Sequence, residues 1–397
     1  MHTPHFIPVS SRGAIPHVSQ DNMRNHTSLT SMYAALEDCE TAIQNLPQSY
    51  VALTLRSSWR AEDIEKAPSR TPPVYSMPSE KHESPLRKFI ALQKDALLVL
   101  GPRRIPPLPC PASSTSTSIA MVTSLGFGML ECAEYVVAVQ KLRPDVIVAM
   151  GDVVFGHEPG VKRQERMGDR THSWLNALVA GMNDPDAGTP STAIFAPILP
   201  IEAGKQDWYL SALEENLQDH LSGLVLYESD SLDSLPKSLS SLPRLWLGNL
   251  KTPQELLDVI ELGVDVFALP FINQGSECGF AFNFAFGARE AEAHEDKSYP
   301  LALDMWSDDH ATDLSSLSDG CQCYTCVNHH KAYVRHLLNA NEMLSWVLLQ
   351  LHNYHVMDQF FAAVRHSIAN ATYKEDKAIF LKMYERDWPV KTGQGPR

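Results

Sequence analysis

A chain of 397 residues with 44% hydrophobic and 20% charged residues has the apolar material for a sizeable core, which excludes global disorder. Lys+Arg 33 against Asp+Glu 47 gives a net charge of −14, so any nucleic-acid partner must be met by a local patch or by a second subunit. No run approaches ~18 uncharged apolar residues. Met1-His2-Thr3-Pro4-His5 lacks a basic segment followed by an apolar one, so no secretory signal is expected and the chain reads as cytosolic.

Three stretches read as loops. Glu62 to Arg87 is rich in Pro, Ser and charge, and Arg103 to Ser118 runs through Pro106-Pro107, Pro109, Pro111 and a Ser/Thr block; neither is expected to hold a helix. Glu290 to Ser318 mixes acids with turn formers. Between the loops, short apolar blocks predict buried parallel strands at 146–150, 193–196, 224–227, 245–248 and 264–267. Helix faces are expected at Tyr135, Val136, Val139 and Leu142, and at Leu256, Leu257, Ile260 and Leu262. This alternation, without a Gly-x-Gly-x-x-Gly turn, favours an eight-stranded (β/α) barrel over a dinucleotide-binding sheet. From Lys331 onward the period is helical through Tyr333, Leu337, Leu344, Val347, Leu348 and Leu351, then Tyr354, Met357, Phe360, Phe361, Val364 and Ile368, all expected as core. Lys391 to Arg397 is expected to fray.

Of seven cysteines, Cys39, Cys110, Cys132 and Cys278 are scattered and read as idle thiols. Cys321, Cys323 and Cys326 instead place three soft donors on one short loop, entered through a turn at Asp319-Gly320. Three thiolates and one imidazole would satisfy a tetrahedral Zn²⁺ and leave no open position, which makes the site structural. His352, after 25 intervening residues, competes for the fourth position with His329, His330, His336 and His355. An unbroken helix from Lys331 to Leu351 would be about 30 Å long and would strand His352. A break is therefore expected at Asn339-Ala340-Asn341, where Asn tolerates the left-handed conformation and Asn341 can cap the next helix, giving two antiparallel helices of about ten residues each.

The knuckle Cys321-Gln322-Cys323-Tyr324-Thr325-Cys326, with Lys331 to Leu337, Asn341-Glu342 and Leu351-His352-Asn353, resembles the zinc signature of the tRNA-guanine transglycosylase family. Thr3 to Val9, Leu142 to Asp145, Arg170-Thr171 with Trp174-Leu175, Pro243 to Gly248 with Thr252-Pro253, and Gly263 to Phe267 resemble further family segments. The resemblance implies an irregular (β/α)8 barrel over 1–317, with loop insertions near 62–118, and a C-terminal helical zinc-binding subdomain over 318–397. It also implies Cys321, Cys323, Cys326 and His352 as the zinc ligands.

The departures concern catalysis. In the family an aspartate nucleophile follows the phenylalanine of Gly-Val-Asp-x-Phe; here Ala268 stands there, followed by Leu269-Pro270-Phe271. A methyl group cannot attack a ribose carbon. The family's second aspartate, opening Asp-Ser-Gly-Gly-Phe-Gln, has no copy, and Leu125-Gly126-Phe127-Gly128 is at best a remnant. The Gly-Gly-rich base loop is absent around Tyr227 to Ser241. The chain thus resembles a non-catalytic, accessory branch of the family, with no catalytic residue of its own. That resemblance implies heterodimer formation with a catalytic subunit that exchanges guanine for queuine at position 34 of tRNAs for Asp, Asn, His and Tyr. It further implies tRNA contact through the complex, and cytoplasmic location with peripheral association at the mitochondrial outer membrane. Residues 321–397 carry nine Lys/Arg and six Asp/Glu, a net +3 that leaves −17 for the rest, so the C-terminal region is the part suited to phosphates. Two other readings stand beside this one. One is a self-sufficient transferase using a displaced carboxylate, Asp152 or Asp265; the other is a zinc-dependent scaffold or RNA-binding module.

Overall fold

The computed structural model describes residues 3–9, 25–27, 30–35, 77–78, 83–90, 92–110, 112–123, 126–183, 192–232, 235–287 and 298–393. Two compact units divide the chain: Pro8–Ile15 with Ser31–Asn249, and Met1–Ile7 with Pro16–Thr30 and Leu250–Arg397.

The unit formed mainly by 31–249 carries parallel strands β2 (Ser31–Ala35), β3 (Leu97–Gly101), β6 (Val146–Val148), β7 (Ala193–Pro197), β8 (Gly223–Leu226) and β9 (Arg244–Trp246). Leu98, Leu100, Ile147, Leu224 and Val225 are all fully enclosed, as strands covered on both faces require. Gly101 serves packing: a Cβ there would lie 2.0 Å from the Tyr33 hydroxyl, which donates to the Arg103 carbonyl at 2.8 Å. The antiparallel hairpin β4 (Ser118–Thr123) and β5 (Gly126–Glu131) follows β3. Helices α1 (Pro85–Phe89), α2 (Cys132–Leu142), α3 (Val161–Met182) and α4 (Asp207–Ala212) complete this unit. In α3, Met167, Thr171, Trp174, Leu175 and Leu178 form one buried stripe at helical spacing.

The other unit holds β1 (His5–Ile7), α5 (Pro253–Glu261), β10 (Val266–Ala268), α6 (Pro270–Cys278), and the antiparallel pair β11 (Phe280–Phe282) and β12 (Ala302–Asp304). Helices α7 (Tyr324–Asn328), α8 (Lys331–Asn339), α9 (Met343–Ala369) and α10 (Tyr373–Met383) follow. Thr252 starts α5 by accepting from the Glu255 amide, with Pro253 at the first helical position. Phe6, Phe267, Phe360 and Phe361 centre an aromatic core.

The eight parallel strands are ordered β1-β10-β9-β8-β7-β6-β3-β2. Two residues beyond β1, Val9 bridges Tyr33 of β2 in parallel, so the sheet is a nearly closed (β/α) barrel, as expected.

Several local expectations need correction. Ser84 caps α1, so a helix does begin inside the stretch read as a linker: Pro85 at the first turn loses no hydrogen bond. Most of that linker, and Cys39, lie outside the described residues. The acidic stretch 290–318 contains β12, and Leu262 and Leu344 are exposed rather than core. The C-terminal segment is tied down as far as residue 393. The Thr392 amide donates to Asp304 Oδ2 at 2.7 Å, and Lys391 Nζ lies 5.7 Å over the Trp306 ring; 394–397 lie outside the described residues.

Candidate functional site

The knuckle begins at Gly320, whose φ of 73° lies in the left-handed region that glycine adopts without strain. Cys323 then caps α7: its Sγ accepts the Cys326 amide at 3.3 Å. Thr325 is fully buried and donates to the Leu348 carbonyl at 2.7 Å, pinning α7 against α9. The chain breaks where expected. Helix α8 stops at Asn339, Asn341 has φ 54°, and α9 begins at Met343. Asn341 ends α8 in the left-handed position, but Glu342, not Asn341, is the N-cap of α9. The second helix is also longer than expected: it has 27 residues, with His352 about a third of the way along.

The long helix is held in register by buried polar groups. Asn353 accepts the Phe282 amide at 2.9 Å and donates to the Phe280 carbonyl at 3.0 Å and to Ser276 Oγ at 2.9 Å. Gln350 and Tyr354 both donate to Asn273 Oδ1, at 2.8 and 2.9 Å. Next to this clamp, His352 Nε2 donates to the Phe282 carbonyl at 2.8 Å. A carbonyl only accepts, so a ring proton sits on Nε2 and Nδ1 is the atom turned to the sulfurs.

His352 Nδ1 lies 3.8 Å from Cys321 Sγ, 3.5 Å from Cys323 Sγ and 3.4 Å from Cys326 Sγ. All four donor atoms fall within 4.8 Å of one another. A tetrahedron with Zn–S about 2.3 Å and Zn–N about 2.0–2.1 Å has S···N edges of about 3.6 Å. The donor set therefore fits one metal ion such as zinc, with all four positions filled by protein. Electrostatics agree. Hydrogen bonds from Cys321 and Cys323 hold the Cys326 thiol far below its ordinary value. Burial lowers the His352 pKa, but the Cys321 and Cys326 sulfurs outweigh it and raise the imidazole to about 9. The same contacts push the Cys323 thiol up, so the four donors share protons that a bound cation would displace.

Two of the four competing imidazoles are otherwise engaged. His330 Nδ1 caps α8 by accepting the Tyr333 amide at 3.2 Å, and His329 stacks on the Tyr333 ring at 5.1 Å. Among the described residues, no other group of three or more Cys, His, Asp or Glu side chains converges in this way.

At the strand ends, Ala268 closes β10, opposite Ile7, with its methyl group enclosed and Pro270 already opening α6. Asp152, beyond the end of β6, is 0% exposed. Arg163 binds one of its oxygens and Arg170 the other, at 3.1 Å, while its amide donates to Thr171 Oγ1 at 3.0 Å. A carboxylate with both oxygens held by guanidinium groups is a structural anchor rather than a free nucleophile. The Asp265 carbonyl accepts the His5 amide at 2.8 Å. The Asp152–Arg163–Arg170 cluster was not foreseen; the helical spacing of Arg163 and Arg170, seven residues apart on one face, is the signal that could have found it.

The family model described as queuine tRNA-ribosyltransferase matches residues 71–386. The protein named queuine tRNA-ribosyltransferase accessory subunit 2 of Schizosaccharomyces pombe is 32% identical over 396 residues, covering 100% of this chain and 81% of that protein. The proteins of the same name from Anopheles gambiae and Pongo abelii are 25% and 26% identical. They cover 94% and 70% of this chain, and 82% and 74% of their own lengths. With the barrel and the Cys₃His cluster, these matches establish that the chain belongs to the queuine tRNA-ribosyltransferase family.

Proposed function

We propose that this chain is the non-catalytic accessory subunit of a queuine tRNA-ribosyltransferase. It pairs with a catalytic subunit that exchanges guanine for queuine at wobble position 34 of tRNAs for Asp, Asn, His and Tyr. The observation that carries this reading is Ala268: the position that follows Phe267, where the family resemblance implies an aspartate nucleophile, holds a methyl group. The two arginines on Asp152 add support, because they tie up one of the two candidates for a displaced nucleophile.

In this reading Cys321, Cys323, Cys326 and His352 hold one structural Zn²⁺, and residues 318–397 form the zinc subdomain. The metal's contribution is to fold, since a closed site leaves no position for a reactive water. The net +3 of residues 321–397 suits that region to tRNA phosphates within the complex. No helix among the described residues is long and apolar enough to cross a membrane. Location in the cytoplasm, with peripheral contact at the mitochondrial outer membrane, completes the proposal.

The test is co-expression with a catalytic subunit of the family, followed by release of labelled guanine from tRNA by each chain alone and by the pair. Release by the pair and none by this chain supports the reading. Sustained release by this chain alone, or failure to associate with any catalytic subunit, contradicts it.

A further inference from the structure

A cavity of about 250 Å³ lies in the unit that holds β2 to β9, between the segment after β3 and the loop from β6 to α3. Arg103, Arg163, His157 and Ser113 contribute to its wall, and among the described residues no carboxylate does. In a chain of net charge −14, a cavity whose charged wall residues are the arginines Arg103 and Arg163 is selective placement.

Each cation is held in position. The Arg103 guanidinium lies 5.8 Å over the Phe155 ring, and its Nη1 donates to the Ala120 carbonyl at 2.7 Å. Arg163 donates to the Ser114 carbonyl at 3.2 Å and to Asp152. Arg163 and Arg170 share that one carboxylate, so the trio keeps a surplus positive charge beside the cavity. Gly156, at φ 83°, brings the loop so close to Pro109 that a Cβ would lie 2.7 Å from its ring.

The cavity also meets the start of α3. Gly160 is both the N-cap of this 22-residue helix and part of the cavity wall. A Cβ at Gly160 would meet nothing within 4 Å, so no side chain caps the first turn; the Arg163 amide donates to the Gly160 carbonyl at 2.8 Å, which leaves the Val161 and Lys162 amides ahead of it. Fixed guanidinium groups and a helix N-terminus both favour a bound phosphoryl group. Size narrows the ligand: about 250 Å³ is below the ~300–1,000 Å³ of sites for drug-sized molecules. A phosphorylated fragment of a few carbons fits this volume.

We propose that this cavity binds a phosphoryl anion, either inorganic phosphate or a small phosphomonoester, between Arg103, Arg163 and the first turn of α3. The inference is independent of the accessory-subunit reading and survives if that reading fails.

The test uses the full chain and follows thermal unfolding and titration calorimetry with glycerol 3-phosphate and inorganic phosphate. Glycerol, chloride at matched ionic strength and a five-nucleotide single-stranded RNA are the comparisons. Saturable stabilisation by the two phosphoryl compounds, absent with glycerol and chloride, is expected. Tenfold tighter binding of glycerol 3-phosphate identifies an organic ligand, and equal binding identifies phosphate itself. Gly160→Asp supplies a good N-cap in open space, so it should keep the wild-type melting temperature while abolishing the response through charge. Arg103→Gln should weaken binding at least tenfold. No saturable response in the wild type overturns the proposal. So does an undiminished response in both variants, equal stabilisation by chloride, or a response to RNA alone.

Discussion

His352 is placed to serve as a metal ligand because Asn353 beside it is clamped. Three hydrogen bonds tie the Asn353 amide to Phe280, Phe282 and Ser276, which fixes the rotation of α9 and aims Nδ1 at the sulfurs. Asn353→Ala should therefore cost about 2–4 kcal/mol of stability by leaving buried groups unpaired. It should also weaken metal affinity about 10–100-fold although every ligand remains; denaturant unfolding and metal competition check the two effects. Asp152→Ala leaves two facing guanidinium groups with no counter-charge and should cost about 3–5 kcal/mol in the same unfolding measurement. A loss under 0.5 kcal/mol, by contrast, would mean that the aspartate is not an anchor. Glu134 gives a pH signature. It is buried, Oε2 accepts the Glu131 amide, Oε1 has no partner among the described residues, and burial raises its pKa from 4.5 to about 7. The folded state holds this proton more tightly than the unfolded state, so stability falls as pH rises from about 4.5 to about 7 and stays lower above. Glu134→Gln should remove that decline, gaining about 1–2 kcal/mol at pH 8 and almost nothing at pH 4.5.

At the scale of elements, the fold was legible where burial was two-sided. Residues 146–148, 193–197, 223–226, 245–246 and 266–268 appear in the sequence as short apolar runs because most of their side chains are buried on both strand faces. The hairpin β4–β5 was hidden: Ser118, Gly126 and Gly128 break its alternation, and Phe127 points outward. The three-residue strands β11 and β12 are too short to show any period, yet β11 supplies the carbonyl that orients His352. The cysteine spacing announced a metal site, but not which imidazole completes it. That choice rests on the turn at Asn341, which reverses the chain so that α9 runs back past α7. Asn341→Gly should keep or slightly raise stability, whereas Asn341→Val, a β-branched residue forced to φ 54°, should cost about 1–2 kcal/mol. Equal melting temperatures for the two variants would show that the left-handed turn bears no strain.

At the scale of the whole molecule, the family match, the barrel and the Cys₃His cluster place the chain in its family, and the proposed accessory role turns on the chemistry at the strand ends. Arginines enclose Asp152, and Ala268 stands after Phe267, so neither position offers a free carboxylate to a ribose carbon. Ala268→Asp alone should create no base exchange, because the second acid and the base loop of active relatives have no counterpart here; labelled-guanine release by the purified variant checks this. The most direct test mixes this chain, a catalytic subunit of the family and tRNA, quenches the reaction in denaturant, and identifies by mass which chain carries covalently attached RNA. The expected result is an adduct on the catalytic partner only. An adduct on this chain, with or without the partner, would contradict the accessory role.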